Sequence, residues 1–161
     1  MDIELKPIFL FGTLRHLPLL RVVQGRCGET NYATVSDHAI LQVKNAHYPV
    51  LCKKTGSLAE GLLLSNLSEY DVARLNFYEN ISDYFLKDII VNTANNNVDA
   101  QCYFPKTDLK VGEFEWNLKL WKNSYGSEIL TYATEVMELI STLSYQDAKI
   151  FTSEIEKRTL G

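Results

Sequence analysis

The sequence contains few of the residues that build covalent or metal-based frameworks. Among its 161 residues there are only three cysteines and three histidines. No C-x-x-C pair and no H-E-x-x-H run occurs, so neither a disulfide framework nor a zinc site is indicated. We therefore expect free, mostly buried thiols, as in a reducing compartment, and no bound metal. The cysteines are Cys27, Cys52 and Cys102, and the histidines are His16, His38 and His47.

Long apolar runs and an excess of positive charge are also missing. No segment approaches the ~18 consecutive apolar residues that a membrane helix requires. The net charge of -4 gives no electrostatic footprint for nucleic acid. Residues 1–4 carry acids where an export signal would carry cations. With 46% hydrophobic and 22% charged residues, the chain is predicted to be a cytoplasmic globular protein with one domain over residues 1–161.

Signatures of nucleotide-binding and ester-cleaving proteins are absent as well. The sequence has no glycine-rich run that ends in Lys and Ser or Thr, and no G-x-G-x-x-G fingerprint. Neither a P-loop nor a dinucleotide site is therefore predicted. The G-x-S-x-G turn of lipase-type hydrolases is missing too. Cys27 lies next to Gly28, but nothing around it indicates an activated thiolate. We expect no cofactor.

The first two thirds of the chain have the pattern of a β-rich domain. An apolar run at residues 8–11 ends at Gly12, which predicts a buried strand followed by a turn. Gly61, within a later strand, indicates a bulge or the close approach of another backbone. The dipeptide Thr55-Gly56 is typical of a turn between strands. Strands are predicted at 8–11, 32–43, 48–51, 58–64, 84–93 and 98–104.

Helical periodicity appears in mid-chain and dominates near the end, and strands followed by helices indicate an α+β fold. Ser68, followed by acids, is a good N-cap for an amphipathic helix that ends near Glu79. From Phe114 onward the apolar residues recur at helical spacing. Gly126 is interpreted as a helix-ending glycine and Ser127 as the next N-cap. Helices are predicted at 17–23, 68–78, 114–124, 129–143 and 144–157. The first of these segments is either a helix or a turn. In the last, Ala148, Phe151 and Ile155 are expected to face inward.

Two segments contain the residues that best combine into a functional site. Residues 11–15 follow a strand end, where exposed N–H groups can hold an anion or a carbonyl oxygen. Glu79 ends a helix, where the helix dipole disfavours its ionisation, and burial against neighbouring aromatic residues would raise its pKa further. A carboxyl with a pKa nearer neutrality can both accept and return a proton. Taken alone, these residues are better explained by a plain strand-end turn and a solvated helix-end acid.

Four short segments carry a family resemblance. They are Phe11-Gly12-Thr13-Leu14-Arg15, Tyr48-Pro49-Val50-Leu51, Gly61-Leu62-Leu63-Leu64 and Leu75-Asn76-Phe77-Tyr78-Glu79. In the same order, they resemble the Tyr-Gly-Ser/Thr-Leu loop, the Tyr-Pro-Gly-Leu strand, the Gly-x-Leu run and the Leu-Asp-x-Tyr-Glu helix end of the gamma-glutamylcyclotransferase-like (AIG2-like) family. Tyr84 also has a counterpart there. Phe11 replaces the family's tyrosine, and Val50 and Asn80 replace two of its glycines.

The resemblance implies both a fold and a reaction. The fold is α+β: a small mixed or antiparallel β-barrel over about residues 7–112, flanking helices, and a helical C-terminal region over about 113–159. The reaction is the cyclisation of a γ-glutamyl substrate, whose α-amine attacks its own γ-carbonyl to give 5-oxoproline and a released amino acid or amine. Because nucleophile and electrophile are in one molecule, proximity supplies much of the acceleration and no metal is required.

The resemblance also implies roles for particular residues. Glu79 is the expected general acid/base. Main-chain groups of residues 12–14 are expected to hold the α-carboxylate, Arg15 to add charge attraction, and Tyr84 to orient the substrate or the carboxyl. A solvated Arg15 and a core Tyr84 are the structural alternatives. The candidate site comprises Glu79 for catalysis and Phe11, Gly12, Thr13, Leu14, Arg15 and Tyr84 for substrate binding.

A second hypothesis is a non-catalytic module on the same fold that binds a metabolite or docks a partner. The aromatic residues at 114–132 would form its interaction face. In the C-terminal helices, the residues Trp116, Trp121 and Met137 resemble those of family members that are joined to Nudix hydrolase domains. The partners considered are therefore a γ-glutamyl substrate, a second copy in a homodimer, or a Nudix-type protein; neither nucleic acid nor a membrane is expected.

Overall fold

The computed structural model describes residues 5–161, so residues 1–4, on which the export prediction depends, lie outside the described residues. The described part of the chain forms a β-barrel with two helices inserted between its strands and three helices after the last strand; one short 3-10 turn follows the first strand and another precedes the last helix. The strands are β1 (Ile8–Leu10), β2 (Glu29–Val43), β3 (Pro49–Ser65), β4 (Tyr84–Asn92), β5 (Asn97–Pro105) and β6 (Val111–Glu115). The helices are α1 (Leu17–Gln24), α2 (Glu69–Ile81), α3 (Leu118–Tyr125), α4 (Glu128–Glu138) and α5 (Tyr145–Thr159).

Five strands close into a barrel in the order β3-β1-β5-β4-β2, and pairing of β2 with β3 completes the circle. The β1–β5 pair is parallel, whereas the other pairs are antiparallel. Strand β6 pairs with β2 outside this circle. The predicted α+β fold, a small mixed barrel with flanking helices, is therefore confirmed.

Gly61 marks a close approach between two strands of the barrel. A Cβ at this position would lie 2.3 Å from the main-chain oxygen of Leu10 and 2.9 Å from the ring of Phe9. The β2–β3 register is regular here, with Ala33 opposite Gly61. Of the two predicted explanations for this glycine, close backbone approach is the correct one.

The turn predicted at Thr55-Gly56 is wrong, because β3 runs without a break from Pro49 to Ser65. A register shift in β2 between Ser36 and His38 produces a bulge at this level instead. Gly56 has a φ of 85°, and its N–H donates to the carboxylate of Asp37 at 2.9 Å. The glycine therefore serves a bulge in a long hairpin, where a positive φ is required.

One apolar core joins the barrel to the helices. Fully buried side chains come from the strands and from helices α1, α2, α4 and α5. Helix α4 contacts both α1 and α5, so the C-terminal helices close over the same core rather than forming a separate one. Representative members are Ile8, Phe9, Leu19, Leu64, Leu75, Val91, Cys102, Ala133, Val136 and Ala148.

The helical interpretation of the C-terminal third needs several corrections. Phe114 lies in β6 and is 80% exposed, because residues 111–115 pair with β2 instead of starting a helix. Gly126 directly follows α3, as predicted, but its φ of -56° is not the left-handed conformation that a helix-ending glycine usually adopts. Ser127 precedes α4 but makes no capping hydrogen bond. In α5, Phe151 is half-exposed and Thr152 is buried beside Ala148 and Ile155.

The three thiols are free, but only Cys102 is buried, with Cys52 half-buried and Cys27 exposed. The prediction of mostly buried thiols is therefore wrong for Cys27. Over residues 5–161, no helix is long and apolar enough to cross a membrane.

Candidate active site

A cavity of about 300 Å³ lies where one end of the barrel meets the helices. The end of β1, the following turn and the start of β3 form one part of its lining. The C-terminal end of α2, the start of β4 and residues of α3, α4 and α5 form the rest. Residues 11–14, Glu79 and Tyr84 all line this cavity, so the structure brings together every predicted site residue except Arg15.

The turn after β1 presents main-chain N–H groups near the cavity. The N–H of Arg15 donates to the carbonyl of Gly12 at 3.0 Å. The N–H of His16 donates to the carbonyl of Thr13, also at 3.0 Å. Among residues 5–161, no acceptor is found for the N–H groups of Gly12, Thr13 and Leu14. Because adjacent N–H groups in a turn can hold an anion, this turn is suited to a carboxylate.

Pro49, the first residue of β3, contacts both this turn and Tyr84 of β4. A Cβ at Gly12 would approach Pro49 Cγ to 2.9 Å, and Gly12 has a φ of -119°. Close packing, not a left-handed backbone, therefore explains the glycine. The Tyr84 hydroxyl donates to the Pro49 carbonyl at 3.1 Å, and Tyr84 is buried. Since this proton is already engaged, the hydroxyl can offer a ligand only its lone pairs.

Arg15 does not line the cavity. Its guanidinium donates to the main-chain oxygen of Glu60 at 3.3 Å and lies 5.8 Å from the centre of the Trp116 ring. Burial lowers the pKa of Arg15, and the charge of Glu60 partly opposes this effect. The placement gives no support to the charge attraction expected of Arg15, which stays a prediction.

The N-terminal end of α2 is fixed by a network around the buried carboxylate of Asp71. Ser68 Oγ accepts from the N–H of Asp71 at 3.1 Å, and the Asp71 carboxylate accepts from the N–H of Ser68 at 2.9 Å, which confirms the predicted N-cap. Arg26 donates to both oxygens of Asp71, at 3.0 and 2.6 Å. Burial opposes ionisation of Asp71, but the hydrogen bonds from Arg26 and Ser68 outweigh it and lower its pKa to about 2.

Glu79 lies in the last turn of the same helix, where no basic residue balances the negative end of the helix dipole. It has no ion-pair partner among the described residues. Burial raises the pKa of Glu79 to about 7. Near neutral pH both protonation states are therefore populated, as the sequence-based argument expected and as a proton shuttle requires.

Four tyrosines that line the cavity surround Glu79. Burial is the largest cause of a raised pKa in each of them, and the negative charge of Glu79 adds to it. The phenols therefore stay protonated at physiological pH. Tyr103 donates its proton to the Asn76 side chain at 2.8 Å, which connects β5 to α2. The four are Tyr78, Tyr84, Tyr103 and Tyr132.

The C-terminal helices complete the cavity. Trp121 on α3, Ile129 and Tyr132 on α4, and Glu156 on α5 all contribute to the lining. The rings of Tyr132 and Tyr78 meet edge to face, with their centres 6.3 Å apart. The cavity therefore depends on helices that follow the barrel in sequence.

His47, from the loop between β2 and β3, also lines the cavity. The indole N–H of Trp121 donates to His47 Nδ1 at 3.4 Å. Because an indole can only donate, this contact assigns the ring proton of a neutral His47 to Nε2. Burial lowers the pKa of His47, so the ring is largely uncharged at neutral pH.

A closed barrel with a partly buried carboxyl and a glycine turn on one cavity is the arrangement that the resemblance to the gamma-glutamylcyclotransferase-like family implies. Comparison with known families agrees: the model described as "Gamma-glutamyl cyclotransferase, AIG2-like" matches residues 8–123. The chain belongs to this family, and the resemblance predicted from its sequence is confirmed.

Individual relatives are distant. AIG2-like protein B of Arabidopsis thaliana is 25% identical over 141 residues, which cover 84% of this chain and 80% of that protein. A solution structure of an Arabidopsis thaliana protein superposes with a TM-score of 0.60 at 17% identity, covering 89% of this chain and 97% of that one. A gamma-glutamyl cyclotransferase structure gives 0.57 at 9% identity, covering 92% and 98%. At these identities, the structural matches show the fold alone.

Sequence reasoning did not assign several cavity residues to the site. Tyr78 belongs to a motif without a role of its own, and Tyr103 lies within a predicted strand. Tyr132 ends the aromatic segment of the alternative hypothesis, while His47 and Glu156 belong to no motif. No local signal marks them, because they reach the cavity only through the packing of the β2–β3 loop, α4 and α5.

Proposed function

We propose that this protein is a gamma-glutamylcyclotransferase-type enzyme that converts a γ-glutamyl substrate into 5-oxoproline and a free amine or amino acid. The observation that carries the proposal is the shared cavity, in which Glu79 and the glycine turn line one space. Family membership supports the reaction class. The raised pKa of Glu79, about 7, supports its role in proton transfer.

The proposed mechanism needs two proton transfers through one carboxyl. The N–H groups of residues 12–14 hold the α-carboxylate of the substrate. Glu79 removes a proton from the α-amine as its nitrogen attacks the γ-carbonyl carbon and closes the five-membered ring. When the bond from that carbon to the leaving nitrogen breaks, Glu79 returns the proton to the leaving nitrogen. The net change is one new C–N bond, one broken C–N bond and one proton transferred.

The test is incubation with a panel of γ-glutamyl dipeptides and γ-glutamyl amines, with 5-oxoproline measured by mass spectrometry. We expect 5-oxoproline and the released amine in equal amounts from at least one member. Glu79→Gln should lower kcat/KM by at least about 100-fold, since a general acid/base typically contributes that much. Glu69→Gln is the matched control, because Glu69 lies at the other end of α2 and is exposed.

The second candidate, a non-catalytic binding module, is favoured by one observation. Phe114 and Leu120 are 80% and 65% exposed and line a second hollow beside α3. Exposed apolar side chains of this size often mark interaction surfaces. Saturable binding of panel members with no 5-oxoproline from any of them would favour this candidate over the enzyme. Nudix-type association and homodimerisation stay predictions of the same kind.

A further inference from the structure

The carboxylate of Glu156 is the feature of the cavity that the proposed mechanism does not use. Glu156 lies on α5, beyond the residues 8–123 that match the family model, and it lines the cavity with an exposed side chain. It has no ion-pair partner among the described residues. Asp83, another acid of the lining, is by contrast paired with Lys149.

The surroundings of Glu156 fix which part of the cavity it faces. Its negative charge contributes to the raised pKa of Tyr132 and of Tyr78, and it partly opposes the lowering of the His47 pKa. Glu156 and the rings contributed by α4, the end of α2 and the β2–β3 loop line the same cavity, so a ligand there meets them together.

No positive side chain balances this carboxylate within the lining. None of the described residues that line the cavity is a lysine or an arginine. His47 is largely uncharged at neutral pH because burial lowers its pKa. A cavity lined by charge of one sign attracts ligands of the opposite sign. A cationic group is therefore favoured beside Glu156.

We propose that Glu156 is a specificity-determining residue that favours substrates whose leaving group carries a positive charge. The γ-glutamyl part is not this cationic group, because the proposed mechanism places its α-amine at Glu79 and its α-carboxylate, which Glu156 would repel, at the N–H groups of residues 12–14. The leaving group then extends toward α5. The consequence for turnover rests on the proposed function, but the charge preference for binding does not.

The experiment compares three leaving groups of similar length that differ in terminal charge: 1,4-diaminobutane (positive), pentylamine (neutral) and 5-aminopentanoate (negative). Because a free amine carries its own positive charge, binding is measured by NMR titration of each compound with one amine acetylated, so that only the other end differs in charge; kcat/KM is measured for each γ-glutamyl amide. The wild type should prefer the diamine over pentylamine by about fivefold at low salt. A preference of this size lies between those expected from an exposed ion pair and from a half-buried one. Glu156→Gln should remove this preference, and Glu156→Lys should reverse it toward 5-aminopentanoate.

Glu154→Gln is the matched control, because Glu154 is an exposed acid on the same helix that does not line the cavity. If the wild type turns over no amide but binds the diamine preferentially, and Glu156→Gln removes the preference, the inference stands while the proposed function fails. If turnover occurs with no charge preference, the inference is overturned and the proposed function survives. Equal effects of Glu154→Gln and Glu156→Gln, or no binding of any acetylated compound, would also overturn it.

Discussion

Replacing Glu79 with glutamine should stabilise the protein at alkaline pH. The folded state raises the pKa of this carboxyl from 4.5 to about 7, so folded Glu79 retains its proton over a pH range in which unfolded Glu79 has lost it. The free energy of unfolding of the wild type therefore falls as pH rises from about 4.5 to about 7; above that range the loss is complete and does not change further with pH. Glutamine, which resembles the protonated acid, does not titrate.

The size of the effect follows from the same pKa. At about 1.4 kcal/mol per pKa unit, the upper limit is about 3 kcal/mol, and water in the cavity reduces it to about 1–2 kcal/mol. For a chain of this size that corresponds to a rise in Tm of about 2–8 °C. The assay is urea unfolding of wild type and Glu79→Gln at several pH values between 4.5 and 9, followed by tryptophan fluorescence.

The pH dependence, not the stability itself, is the decisive readout. At pH 4.5 the two proteins should differ little, and the difference should reach its full size near pH 8. Glu69→Gln should show no such growth, since Glu69 is exposed at the N-terminal turn of α2. A constant difference at all pH values, or a Glu79→Gln variant less stable than wild type at pH 8, would refute the assignment of a buried, proton-retaining carboxyl.

Three further substitutions test the framework of the site. Asp71→Asn should lower the free energy of unfolding by about 2 kcal/mol at pH 7, because Arg26 loses a carboxylate partner. The pKa of folded Asp71 is about 2. In urea titrations, the greater stability of the wild type should therefore disappear as pH falls from about 4 toward 2. Gly61→Ala should cost about 2–4 kcal/mol in thermal unfolding, because a Cβ would meet the Leu10 oxygen at 2.3 Å; an unchanged Tm would contradict this contact. Tyr84→Phe should cost about 1–2 kcal/mol in urea unfolding by leaving a main-chain carbonyl of β3 without its partner, and no loss of stability would show that this bond is not needed.

Local patterns predicted those parts of the fold that depend on neighbours in sequence. The apolar run before Gly12 forms β1, and Ser68 caps α2, because a strand end and a helix cap are both determined within a few residues. Strand β6 was not predicted, because pairing with β2, about 70 residues earlier, overrides the helical spacing that begins at Phe114. Gly56 was misassigned for a similar reason, since only the partner strand reveals the bulge.

The same distinction, between features determined locally and features that depend on distant parts of the chain, applies to the candidate site. Glu79 and the turn at residues 11–14 were assigned to the site because they belong to short local motifs that resemble those of a known family, and both line the cavity. Tyr132 and Glu156 were not, since α4 and α5 bring them to the cavity only when the helices close over the barrel. Arg15 was included because it adjoins the turn in sequence; its guanidinium contacts Glu60 and Trp116 instead of lining the cavity, so its role in binding stays a prediction.

Helix α2 shows how a destabilising carboxyl can be held at one end of an otherwise well-anchored element. Its acids at the N-terminal end, Glu69 and Asp71, face the positive end of the helix dipole, and Asp71 is further stabilised by Arg26. Glu79 faces the negative end with no basic residue in the last turn. A stabilised N-terminal end can offset the cost of the ionised carboxyl at the other, so that Glu79 stays in the cavity with its pKa near neutrality. A basic residue introduced into the last turn should therefore lower the pKa of Glu79 and improve stability while impairing proton transfer.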